Sequence, residues 1–126
     1  MPEFPADVLS AAAEQREVEL TTTGRRSGGP QRVVIWVSPG QPGRLYIRSG
    51  GGLGRNWTRN ISKLNEATLH LDGCDVPVTL RHIDEPAEAR LVTGFVRAKY
   101  GDGVRGSMEG ESLTPGEEAS FELLAR

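Results

Sequence analysis

Between Arg16 and Thr23 the chain sets Val18, Leu20 and Thr22 against Glu17, Glu19 and Thr21, a period of two that predicts a strand with one polar face. Arg32 to Ser38 differs: VVIWV is β-branched and almost continuously apolar, which predicts a central strand covered on both sides. Between them, GRRSGGP has the composition of a turn. PGQPG turns the chain into a third strand, Arg44 to Ser49. Strands at Ala67 to Asp72 and Asp75 to Ile83 follow, joined by the tight turn DGCD, and Ala119 to Leu124 is the last strand. Helical spacing places a helix at Pro5 to Gln15, favoured by the alanines at 11–13. A second runs from Asn56 to Leu64, with Trp57, Ile61 and Leu64 on one face. A third starts with Asp84 as cap and Pro86 in its first turn, carries Leu91, Val92, Phe95 and Val96 as its buried stripe, and ends at Gly101.

About six short antiparallel strands with few helices predict a mainly β fold, a barrel rather than a doubly wound sheet. The length of 126 residues fits one domain, 1–126, with residues 1–15 as an N-terminal helix or arm and 102–118 as an acidic loop. In that loop Glu109, Glu111, Glu117 and Glu118 read as solvated. No apolar run approaches the roughly 18 residues of a membrane span, and the N-terminus lacks a basic segment followed by an apolar one, so a cytoplasmic location is expected. One cysteine, Cys74, excludes an internal disulfide and a cysteine-rich metal site.

Charge changes the picture. The formal net charge is −2, yet eight of the 15 Lys and Arg residues, and none of the 17 acids, fall between Leu20 and Asn65. Such segregation predicts a positive surface suited to an anionic ligand, unless these arginines scatter around the barrel and meet acids from elsewhere. The same block contains IRSGGGLGRNWTRNISKL, in which a strand ends at Ser49, four glycines follow within 50–54, and a cationic helix begins. It is neither a Walker loop nor a G-x-G-x-x-G dinucleotide loop. What remains is a glycine mouth, Gly52 included, whose backbone N–H groups can turn inward beside the helix start at Asn56. Arg48 and Arg55 can each present a bidentate fork to phosphate. The alternative is a plain surface loop.

Three segments, TTTGRRSGGPQRVVIWV, GRLYIRSGGG and NWTRNISKLNEATLHLDG, resemble the split-barrel flavin-binding superfamily, nearest to the deazaflavin-dependent nitroreductases and their small relatives. The chain keeps Thr22, Thr23, Gly24, Arg25, Ser27 and Gly28 of that pattern, with Arg26 where Lys is common, and keeps Trp57 and Asn60. It departs from it at Thr58, where Tyr is frequent, at Asn65-Glu66, where Asn-Pro ends the helix, and at 31–36, which lacks Thr-Thr-Pro. The resemblance covers about residues 16–83. It implies an FMN-binding type of split barrel, a homodimer, and FMN or a deazaflavin coenzyme as cofactor, the two left undecided. Backbone groups around Val34 and Ile35 then face the ring edge and Trp36 walls it. Arg25, Arg32, Arg48, Ser49 and Arg55 hold phosphate or acidic tail groups, with Gly52, Asn56 and Trp57 completing the set. Trp57 has plain core packing as its other reading, and Tyr46 either faces the same groove or is an ordinary surface tyrosine.

The activity so implied is that of a flavin- or deazaflavin-binding oxidoreductase, of nitroreductase or pyridoxamine-phosphate-oxidase-like type, transferring hydride to a small acceptor. Its alternative is a non-catalytic cofactor binder or carrier. No residue is singled out as catalytic, because the cofactor does the hydride chemistry. Rival readings are thinner. His70 and His82, with Asp72 and Asp75 nearby, lack a third metal ligand at recognisable spacing, so no metal is expected. No nucleophile motif surrounds Ser49 or Cys74. A nucleic-acid role is not expected, since the pI is about 5.7 and the basic block lacks interleaved exposed aromatics.

Overall fold

The computed structural model describes residues 4–71 and 73–126; residues 1–3 of the expected arm and Asp72, at the end of the expected strand 67–72, lie outside them. Seven strands, β1 (Val18–Thr23), β2 (Pro30–Ile35), β3 (Val37–Pro39), β4 (Leu45–Arg48), β5 (Glu66–Leu71), β6 (Cys74–His82) and β7 (Ser120–Ala125), form one sheet. The helices are α1 (Ala6–Glu14), α2 (Asn56–Lys63), α3 (Pro86–Tyr100) and the short α4 (Pro115–Glu118). The order across the sheet is β2-β1-β5-β6-β7-β4-β3, every pair antiparallel. Its two edges, β2 and β3, are consecutive in the chain with Trp36 alone between them. One run of chain therefore leaves one end of the sheet and joins the other, which curls the sheet into a half-barrel.

That arrangement corrects the reading of 32–38 as one central strand. The run breaks at Trp36 into two edge strands, which is also why seven strands form where six were expected. Val33, Ile35 and Val37 turn into the barrel, whereas Arg32 and Val34 turn out, Val34 remaining 57% exposed and Trp36 39%. An apolar run signals burial on both faces; it does not say whether the chain's own sheet or something else covers the outer one.

Inside the barrel the period of two does what it promised. Val18 and Leu20 of β1, Leu69 and Leu71 of β5, Val78 and Leu80 of β6, and Phe121 and Leu123 of β7 build one core, closed by Phe4, Val8, Ala11 and Ala12 at α1 and by Trp57 and Ile61 of α2. Leu64 falls past the end of α2 and is exposed. A second core covers the outer face of β4, where Tyr46 and Ile83 meet Ala89, Val92 and Val96 of α3. Leu91, expected in that stripe, is instead 47% exposed, and the N-cap of α3 is Glu85 rather than Asp84. Gly101 does end α3, with φ at +102°. The segment after it is not a wholly solvated loop. Thr114 and Glu117 form a capping box on α4, and Glu117 is completely buried.

Candidate functional site

The outward side chains of β3 and β4, helix α3 and the segment 103–116 enclose a cleft of about 540 Å³. Its wall is aromatic: Trp36 stacks on Tyr100 with centroids 4.0 Å apart and planes 5° from parallel, and the Arg16 guanidinium lies 5.8 Å from the Trp36 ring and 5.6 Å from that of Tyr100. The stack is anchored from behind. Tyr100 donates its hydroxyl to Arg16 O at 2.6 Å, and Lys99 donates to the carbonyls of Ala12, Gln15 and Val37 at 2.6, 2.6 and 2.7 Å. Burial, assisted by Arg16, lowers the Lys99 ammonium to about 8, and burial raises the Tyr100 phenol to about 12.

Arg48 closes the far side, and its fork is already engaged. It donates to Thr93 Oγ1 at 2.8 Å and to Arg105 O at 2.6 Å, and it lies so close over Gly116 that a Cβ there would meet its nitrogens at 2.8 and 2.9 Å. Burial lowers its pKa while Glu117 opposes the shift. Glu117 accepts from Ser107 Oγ (2.6 Å), Ser107 N (3.2 Å), Thr114 N (3.0 Å) and Thr93 Oγ1 (2.8 Å). Burial alone would raise this carboxyl; these donors outweigh it and hold it at about 2. Segment 105–117 is thus fastened to α3 and β4.

A second feature lies at the turn between β1 and β2. The backbone N–H and Nη1 of Arg25 both donate to Asn60 Oδ1, at 3.2 and 3.0 Å, and Lys63 donates to Arg25 O at 2.7 Å. Asn60 in turn donates to Thr22 Oγ1, which locks α2 onto β1. The turn is tight: Gly28 has φ +73°, and a Cβ on Gly24 would meet Ser27 Oγ at 2.6 Å. Beside it is a hollow of about 390 Å³ lined by Arg25, Arg26, Ser27, Asn60 and Lys63. Desolvation, then the charges of Arg59 and Arg26, lower the Arg25 pKa, so three guanidinium groups share this corner. Among the described residues none of Arg25, Arg26, Arg55, Arg59 and Lys63 forms an ion pair.

The residues singled out from sequence therefore divide. Trp36 and Arg48 line opposite sides of the cleft, together with Tyr46 and Gly50. Arg25 sits at the cationic hollow. Arg32 pairs with Glu19 on the open outer face of β2, next to exposed Val34, while Ile35 points into the barrel. Ser49 is buried, its N–H bonded to Ala119 O at 3.0 Å. Gly52 takes φ +83° beneath Pro115; Arg55 precedes Asn56 at the start of α2 and folds its guanidinium over Gly51. Trp57 packs in the core against Phe121, centroids 6.2 Å apart. The histidines separate: His70 bonds Thr21 and Asp75, and His82 lies on Phe121 beside Glu118 O. Sequence reasoning missed Tyr100, Lys99, Arg105 and Gly116. The signal available was an aromatic residue directly before a helix-ending glycine.

No family model matches the chain, and no curated protein does. Solved structures do. Its fold is the split β-barrel. A candidate 5-nitroimidazole antibiotic resistance protein from Bacteroides thetaiotaomicron superposes with a TM-score of 0.71 at 12% identity, over 98% of this chain and 81% of its own. An F420-H2 dependent reductase gives 0.60 at 16%, over 86% and 94%. The haem storage protein HutZ of Vibrio cholerae gives 0.65 at 10%, over 99% and 92%. Identities this low establish the architecture the chain shares with these proteins, and function has to be argued from the site.

Proposed function

We propose that the chain binds an anionic tricyclic cofactor, a flavin or a deazaflavin, and works as an oxidoreductase on a small acceptor. The observation that carries the reading is uncompensated positive charge at Arg25, Arg26, Arg59 and Lys63 on a barrel that also has an aromatic-walled cleft. A cleft of about 540 Å³ lies in the range of small-molecule sites, and the Trp36–Tyr100 wall offers a flat apolar surface to a planar ring. The cationic corner supplies forks for phosphate or carboxylate oxygens. A bound flavin-type cofactor supplies the hydride chemistry. The protein's part is to orient it, exclude water and leave one face open to the acceptor.

Self-association belongs to the same proposal. The open outer face of β2, with Val34 and Arg32, is apolar enough to be covered by a second copy. A carrier without turnover is the second reading, favoured by the cleft's own polar groups: Arg48 is already bonded within the protein, and the Tyr100 phenol is held at about 12, so neither is poised to move a proton near neutrality. The experiment that separates them mixes the protein anaerobically with reduced deazaflavin, and separately with reduced FMN, then follows reoxidation by quinone and nitroaromatic acceptors. Protein-dependent reoxidation supports the enzyme. Tight binding with no protein-dependent reoxidation leaves the carrier.

A further inference from the structure

Away from the cleft, three polar side chains on adjacent strands are hydrogen-bonded in series. Thr21 Oγ1 of β1 lies 2.7 Å from His70 Nε2 of β5, and His70 Nδ1 lies 2.7 Å from Asp75 Oδ1 of β6. The pairing register sets this up, since His70 stands opposite Asp75 on one side and next to the Thr21 row on the other. The proton positions follow from the chemistry. An ionised carboxylate only accepts, so Nδ1 carries the hydrogen and Nε2 presents its lone pair; the Thr21 hydroxyl is then the donor. Glu19, His70's partner across β1, is engaged by Arg32 and does not disturb this order.

Hydroxyl, imidazole and carboxylate in that sequence, with both links at hydrogen-bond length, are the arrangement that makes a hydroxyl nucleophilic. The site is also reachable. His70 and Asp75 line one hollow of about 420 Å³, and Thr21 lines a neighbouring one of about 260 Å³ together with Arg126. The side chain of His70 is 16% exposed, which keeps its ring in place, whereas that of Asp75 is 76% exposed. Nothing in the cofactor reading uses these groups.

We propose that Thr21, His70 and Asp75 form an acyl-acceptor site that takes an acyl group from a small activated ester. Thr21 Oγ1 bonds to the acyl carbon and the ester's C–O bond breaks. The hydroxyl proton passes to His70 Nε2 and on to the departing alkoxide, so the products are an O-acyl threonine and a free alcohol. Asp75 is a positioning residue that holds the imidazole tautomer, and Arg126, paired with Glu66 at 3.2 Å and donating to Ala67 O at 3.3 Å, lines the hollow in which oxyanion charge develops.

The test incubates the full chain with p-nitrophenyl acetate, follows nitrophenolate release, and locates the acetyl group by peptide mass spectrometry. Circular dichroism checks the fold of each variant. The expected result is an acetyl group on Thr21 that is absent in Thr21→Val and formed at least about tenfold more slowly in His70→Ala, with added imidazole restoring the rate. Asp75→Asn also slows it, because the amide can donate to Nδ1 and select the wrong tautomer. Thr21→Ser keeps the hydrogen bond, reacts at least as fast, and keeps the test readable if the valine variant fails to fold. No acetyl on Thr21, an unchanged rate in His70→Ala, or no rescue by imidazole overturns the proposal.

Discussion

Two charged regions of this barrel behave in opposite ways. Around segment 105–117 the buried charges are answered: Glu117 takes four donors, Arg48 is tied to Thr93 and Arg105 O, and across the same sheet Arg81 bridges Glu88 and Glu122. At the β1–β2 turn, Arg25, Arg26 and Arg59 crowd one another without a carboxylate among the described residues. Arg48 and Arg25 look alike in the sequence, each a cation within two residues of a glycine. The structure makes one a fastener and leaves the other bonded to the neutral Asn60, with no carboxylate partner among the described residues. Charges satisfied internally mark structure; the charges left over are the ones the proposed function assigns to a ligand.

The largest effect that would break this comparison lies at Glu117. Glu117→Ala strands the donors of Thr93, Ser107 and Thr114 and removes the acid nearest Arg48, so stability should fall by roughly 2–4 kcal/mol in urea unfolding. A loss under about 0.5 kcal/mol would mean the segment is not fastened as described. Next comes Trp36→Ala, which removes the stack on Tyr100 and should cost about 1–2 kcal/mol of stability while weakening cofactor binding about tenfold. An unchanged affinity would move the ring site out of the cleft.

The pH dependence is smaller and has a defined sign. Glu117 is depressed from 4.5 to about 2, so its contribution is fully present above about pH 4.5 and is lost as pH falls toward 2. Lys99 is depressed from 10.5 to about 8, so between those values the unfolded chain binds more protons and the folded state gains stability as pH rises. Above pH 10 the raised Tyr100 opposes this, because the unfolded phenol ionises first. A melting temperature that rises between pH 8 and 10 is the expected outcome; a steady fall would contradict the placement of Lys99 against three carbonyls. The smallest effect is at the open face. Val34→Lys should leave stability within about 0.5 kcal/mol and shift light scattering from dimer to monomer; a native chain that is already a monomer at tens of micromolar removes the proposed dimer.

Much of the architecture was legible because alternation is a local property. Val18 and Leu20, or Phe121 and Leu123, state their inward face without knowing their neighbours. The apolar run through Val34 and Trp36 was misread for the opposite reason: whether a strand is central or an edge depends on which strands come to it, and that is a long-range fact. The site was half legible. Trp36 and Arg48, both singled out from the sequence, do line one cleft, yet that the fork of Arg48 is consumed by Thr93 and the Arg105 carbonyl follows from contacts across 45 and 57 residues of chain. Glu117 read as solvated because nothing in PGEE announces that Ser107 and Thr93 will meet it. Lys99 and Tyr100 close the end of a helix whose docking on α1 no local pattern encodes.

The central claim is that the cations left unpaired at the β1–β2 turn hold the acidic part of a cofactor, and titration tests it directly. FMN and a deazaflavin coenzyme are each added to the native chain and to an Arg25→Ala, Arg59→Ala double variant, at low and high salt, with Trp fluorescence and cofactor absorbance as readouts. Saturable binding of at least one of them, weakened in the double variant by about 2–4 kcal/mol and weakened by salt, with stability in urea lowered by no more than about 1.5 kcal/mol for the lost Arg25–Asn60 bond, is the predicted result. Saturable binding of equal affinity in both proteins, or no saturable binding of either cofactor to the native chain, contradicts it.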